Sequence, residues 1–195
     1  MSPALGPTRQ TDAIVVGASA GGVEALSVLL AALPSALRAA VFIVLHLPKD
    51  RPSLLVDIFQ PRCARPVREA RDKETVEAGT VYIAPPDYHL LIEDGPCLAL
   101  SVDEPVHFSR PSIDVLFESA ADVYGERLLG IILTGASRDG ADGLAAVRGS
   151  GGSTVVQTPA TAHAMAMPAA ALDRGPVDAV LDVEEIALLL RALDG

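Results

Sequence analysis

Short, continuous apolar runs recur along this chain and alternate with longer stretches whose apolar residues return every three or four positions. The runs are Ala13–Val16, Val41–Leu45, Thr80–Ala84, Leu129–Leu133, Thr154–Val156 and Ala179–Leu181. Rich in Val and Ile and bounded by turn residues, they predict strands buried on both faces. The stretches Gly22–Leu33, Ser53–Phe59, Ile113–Tyr124, Gly140–Arg148 and Val183–Leu193 carry the helical period. Alternation of this kind predicts an α/β protein: a doubly wound, mostly parallel sheet with helices on both faces. One segment departs from it. His89–Glu93 and Cys97–Val102 flank the turn pair Asp94-Gly95 and predict an antiparallel hairpin.

Size and composition narrow the picture further. The 195 residues, half of them hydrophobic, suffice for one domain with a sizeable core. No repeat or linker divides them, so we expect a tail over residues 1–10 and one Rossmann-like three-layer sandwich over 11–195. The net charge of −10, with no Lys/Arg cluster, argues against nucleic acid as a partner. Cys63 and Cys97 lack metal-ligand spacing and form no disulfide framework, which favours a reducing compartment. No apolar stretch is long enough to insert in a membrane, and Met1–Gln10 lacks a signal-peptide core. The expected location is the cytoplasm.

Parallel strands deliver their following loops to one edge of the sheet, where ligands bind. The first run is followed by Gly17-Ala18-Ser19-Ala20-Gly21, a serine between glycines at a strand-to-helix junction. That arrangement presents a nucleophilic hydroxyl beside the positive end of a helix. The second run ends at His46, and the run Leu129–Leu133 leads through Thr134-Gly135-Ala136-Ser137-Arg138 to Asp139-Gly140. Each residue alone has a structural reading: Ser19 and Asp139 as helix caps, His46 and His89 as packed histidines. Taken together, Ser19, His46 and Asp139 supply a nucleophile, a base and a carboxylate to orient it, all on one edge. Their chain order differs from that of α/β-hydrolases and of the two main serine-protease folds. A dinucleotide site fits less well. Ser19 takes the place of the middle glycine of its fingerprint, and His46 ends the strand where the ribose-binding acid is expected.

Seven segments together resemble the catalytic domain of the CheB protein-glutamate methylesterases. They are Val16–Gly22, His46-Leu47-Pro48, Tyr82–Asp87, Arg110–Phe117, Ile132–Gly135, Asp139-Gly140 and Met167-Pro168. The resemblance implies hydrolysis of glutamate γ-methyl esters on chemoreceptor helices by a Ser19–His46–Asp139 triad, without metal or organic cofactor. Some members also deamidate glutamine. Amides at Ala20 and Gly21, with the Gly135–Ala136 loop, are the candidate oxyanion donors. Arg110 is either a contact to an acidic receptor or an internal ion pair. Departures are visible: Ala20 stands where the family commonly has Thr, Gly135-Ala136-Ser137 replaces Gly-Met-Gly, and Phe108-Ser109 replaces basic residues. The short segment before the first strand leaves no room for the family's receiver domain, which makes a separate receiver-domain protein a candidate partner. Two rival readings are a receptor-binding module without useful turnover, and a serine esterase or amidase acting on a small metabolite.

Overall fold

The computed structural model describes residues 10–47 and 53–193. Residues 1–9 of the expected tail and Pro48 of the His46-Leu47-Pro48 segment lie outside the described residues. Seven strands, all parallel, form the main sheet: β1 (Ala13–Ala18), β2 (Ala40–Leu45), β3 (Val67–Glu69), β4 (Val81–Ile83), β7 (Leu128–Ile132), β8 (Ser153–Gln157) and β9 (Ala179–Leu181). Their order is β3-β4-β2-β1-β7-β8-β9. The hairpin forms a separate antiparallel sheet of β5 (His89–Glu93) and β6 (Cys97–Ser101).

The central strands are buried throughout, as continuous apolar runs require. Helices α1 (Gly22–Ala32), α2 (Leu55–Phe59) and α6 (Val183–Arg191) cover one face. There Leu26, Leu29, Leu30, Phe59, Ile186 and Leu190 share a core with Ile14, Val16, Val41 and Ile43. The other face carries α3 (Ile113–Tyr124), α4 (Ala141–Gly149), α5 (Ala166–Arg174) and the hairpin. Its core joins Leu116, Phe117 and Leu144 to Val15, Phe42 and Tyr82, with the last two rings stacked 5.6 Å apart. Among the described residues no helix is long and apolar enough to cross a membrane.

Two elements carry too weak a pattern to be expected. Strand β3 is a three-residue edge strand in which only Val67 is buried. Helix α5 buries only Met167, Pro168 and Ala171. Pro168 sits in its first turn, where a missing N–H breaks no intrahelical bond, so a residue that reads as a breaker is accommodated.

The order places a switch point between β1 and β7. From β1 the chain moves outward through β2, and from β7 it moves the other way through β8 and β9. A crevice opens at the carboxyl edge of such a point. Ser19 leaves β1 there, His46 leaves β2, and Asp139 lies in the loop after β7.

Candidate active site

The turn after β1 is shaped by backbone constraints. Ala18 and Leu45 are paired in register across β1 and β2, so Ser19 and His46 are the next residues along two adjacent strands. The His46 amide donates to Ala18 O at 3.1 Å, and the Ser19 amide donates to Thr134 O at 2.9 Å. Gly21 then takes φ 78°, a left-handed conformation that favours glycine, and starts α1. Gly17 is needed for a different reason: a Cβ there would lie 2.4 Å from Ile113 Cγ2 at the start of α3. The strand, the turn and α3 therefore meet closely.

The turn is also tied to the loop after β7. The Thr134 hydroxyl donates to Ala20 O at 2.8 Å and accepts from the Ala164 amide at 2.9 Å. Gly135 N–H donates to Ala164 O at 3.0 Å, so it already has an acceptor. Among the described residues, the amides of Ala20, Gly21 and Ala136 have none. The first two are free donors at the positive end of α1, directly after Ser19.

Asp139 is fully buried, and its carboxylate is surrounded by donors. His46 Nε2 lies 2.8 Å from Oδ2, which also accepts the Ile113 amide at 2.7 Å. Oδ1 accepts the Ser112 hydroxyl at 2.8 Å and the Asp114 amide at 3.1 Å. Burial alone would raise this carboxyl's pKa. The bonds from His46, Ile113, Asp114 and Ser112 outweigh it and hold the pKa below the ordinary carboxylate range. A buried anion thus receives the His46 ring through Nε2, which leaves Nδ1 for another partner. Among the described residues no hydrogen bond joins that ring to Ser19 Oγ.

The aspartate does not cap its own helix. Asp139 occupies the N-terminus of α3, while Asp114 of α3 caps α4, its Oδ1 accepting the amides of Gly140 at 2.9 Å and Gly143 at 2.7 Å. Behind Ser112, the buried His89 accepts the Ser112 amide at Nδ1 (3.1 Å), and its Nε2 lies 3.1 Å from Glu104 O. His89 thereby braces the residue that donates to Asp139. Sequence reading passed over Ser112 as a donor to the carboxylate. Its position just before the helical period of α3 is an N-cap signal, and that cap is present.

Arg110 is engaged within the chain. It donates to Asp87 Oδ1 from Nε and Nη2 (3.1 and 2.8 Å), and from Nη1 to Val102 O (2.8 Å) and Asp103 O (3.0 Å). Sequence reading did not single out His163. Its side chain covers Gly21, where an added Cβ would meet His163 Cβ at 2.5 Å. One group of potential metal ligands exists among the described residues: His107, Asp114 and Asp142, with ligand atoms within 4.8 Å of one another. Arg174 already pairs with Asp142, and two amides occupy Asp114 Oδ1.

This geometry can be set beside known proteins. The sequence profile described as CheB methylesterase matches residues 14–190. The chain belongs to the CheB methylesterase family. A relative from Leptospira interrogans is 45% identical over 183 residues, covering 94% of this chain and 95% of that protein. The Anaeromyxobacter dehalogenans protein-glutamate methylesterase/protein-glutamine glutaminase 2 is 40% identical over 184 residues. That match covers 94% of this chain but 54% of the longer protein. The crystal structure of the Thermotoga maritima CheB methylesterase catalytic domain superposes with a TM-score of 0.89 at 30% identity. It covers 95% of this chain and all of that one, so the family fold extends across the sheet, the hairpin and the crevice.

Proposed function

We propose that this chain is a protein-glutamate methylesterase in which Ser19 is the nucleophile, His46 the general base and Asp139 the residue that orients and stabilises the imidazole. The observation that carries the reading is the 2.8 Å contact from His46 Nε2 to a fully buried carboxylate with three further donors. Such a carboxylate fixes the tautomer, placing the lone pair on Nδ1, and stabilises the imidazolium once a proton arrives. Ser19 Oγ attacks the γ-carbonyl carbon of a glutamyl methyl ester while its proton passes to His46. The Ser19–His46 hydrogen bond forms as substrate enters, as catalytic bonds commonly tighten in the complex. The tetrahedral oxyanion takes the free amides of Ala20 and Gly21, each such donor supporting about 3–4 kcal/mol of barrier lowering. The Ala136 amide is a further candidate, and Gly135 shapes that loop through its bond to Ala164.

Collapse of the intermediate breaks the C–O bond to methoxide, which leaves as methanol with the proton from His46. Water then gives its proton to the same ring and attacks the glutamyl-enzyme, releasing carboxylate and free Ser19. Every proton moves among Ser19, His46, methanol and water. An amide in place of the ester passes through the same steps with ammonia as the leaving group, and relatives bear both activities in their names. The substrates are methylated chemoreceptor helices in the cytoplasm, and a receiver-domain protein is a candidate partner.

Methanol release from methylated receptors tests the reading. The wild-type chain releases methanol and Ser19→Ala does not, with its circular dichroism spectrum unchanged. Retained turnover in the alanine variant would exclude the nucleophile.

A further inference from the structure

Phe108 is 99% exposed, the most exposed large apolar side chain among the described residues. It is not on a loose loop. Val106 and Ser109 exchange both backbone hydrogen bonds (3.1 and 2.8 Å), which makes His107-Phe108 the centre of a two-residue hairpin turn. Both central residues are left-handed, His107 at φ 48° and Phe108 at φ 62°. Turns of this form favour Asn and Gly, and bulky residues in them are strained. Among the described residues, nothing packs over this phenyl ring. Strain of this sort recurs at binding and catalytic sites.

The surroundings indicate what the ring meets. Arg110, two residues on, clamps Asp87 and the carbonyls of Val102 and Asp103. Tyr88, beside Asp87, and Val102 are exposed as well, at 42% and 67%. One guanidinium therefore ties together three segments that each present an apolar side chain to solvent. The same stretch leads into Ser112, Ile113 and Asp114, the donors that hold Asp139. His107 Nε2 lies 3.4 Å from Asp114 Oδ2, which anchors the turn against the frame of the site. The turn is thus joined, through Asp114, to the residues that hold Asp139.

We propose that Phe108, with Tyr88 and Val102, is the docking surface for the helix that carries the esterified glutamate, gripping apolar residues one turn from the ester. The inference rests on the methylesterase reading and adds the contact that selects its protein substrate. Charge favours this occupant. The chain carries −10, and Asp103 and Glu104 flank the patch, so a helix dense in free glutamates is repelled. Methylation removes that charge, and hydrolysis restores it. An apolar rim among acids favours a segment that bears the neutral ester over one that bears the anionic product. Arg110 is then the internal brace of the surface.

The test compares Phe108→Ala with wild type on two substrates. On methylated receptor the variant's KM rises about tenfold, the scale of losing one buried aromatic anchor, with kcat within about twofold. Labelling of Ser19 by a small fluorophosphonate, which needs no docking, proceeds at the wild-type rate. Raising NaCl leaves the wild-type KM unchanged or lowers it, because contact is apolar and the residual charges repel. Phe108→Gly relieves the left-handed strain, so its Tm is not below wild type while its receptor KM rises as for alanine. An unchanged receptor KM in both variants overturns the proposal. So does a wild-type dimer that Phe108→Ala converts to monomer in sedimentation, since the patch would then serve self-association. Failure of wild type to label at Ser19 would instead remove the methylesterase reading on which the inference rests.

Discussion

Asp139 and Asp114 are both buried, lie within one hydrogen-bonded network and cap each other's helices, yet they sit on opposite sides of their ordinary titration range. Asp139 accepts two amides, a hydroxyl and the His46 ring, and stays below that range despite complete burial. Asp114 accepts amides from Gly140 and Gly143 but faces Asp139 and Asp142. Burial, the largest influence on it, is opposed by the Gly143 amide and reinforced by these neighbouring charges, so its pKa is pushed up to about 6. The difference shows that depth does not set the charge of a buried carboxylate. The balance of donors against like charges does. An anion is kept beside His46, and its neighbour takes up the electrostatic conflict.

The largest expected break in this comparison is Asp139→Asn. An amide cannot accept from His46 and from the α3 donors in the same way, so methanol release falls by about 10³–10⁴-fold. A rate within tenfold of wild type would remove Asp139 from the mechanism. Asp114→Asn has its main effect on stability. An amide oxygen can still accept the Gly140 and Gly143 amides, so kcat above pH 6 stays within about threefold. Because the folded pKa of Asp114 is raised, its stabilising contribution is full below the ordinary carboxylate value of 3.8 and is lost as pH rises through about 6. Urea denaturation at pH 4 and pH 7 should therefore show a wild-type loss of up to about 3 kcal/mol from this residue, absent in the variant. Asp139 acts with the opposite sign. Its contribution is present above the ordinary carboxylate range and declines as pH falls below it. Ser112→Ala is the mildest test, removing one donor to Asp139 and the α3 cap together. It should lower stability by about 2 kcal/mol in urea titration and leave activity well above that of Asp139→Asn.

How much of this was legible beforehand depends on whether the determining contact was local. Ser19 and His46 follow directly from strand ends, because a parallel pair in register sends its next residues to adjacent places. The identity of Asp139 was legible in the same way, from the loop after β7. What kept it ionised was not. Its donors come from α3, more than twenty residues earlier, and a cap shared between helices leaves no spacing signal in either. The free amides of Ala20 and Gly21 could be anticipated from a helix start, whereas the bond from Gly135 to Ala164 depends on how the β8 loop folds back. Strand β3 and helix α5 escaped notice because their apolar residues are too few to show a period. His163 gave no signal at all, since its position over Gly21 exists only after the loops have packed.

The central claim is that Ser19 is the nucleophile and that the His46–Asp139 pair activates it. Peptide mass mapping after brief exposure to a fluorophosphonate addresses it most directly, with wild type and Asp139→Asn run side by side. The account predicts a single adduct on the peptide containing Ser19, formed at least a hundredfold more slowly in the variant. An adduct on another residue, or equal labelling rates in the two proteins, would contradict it.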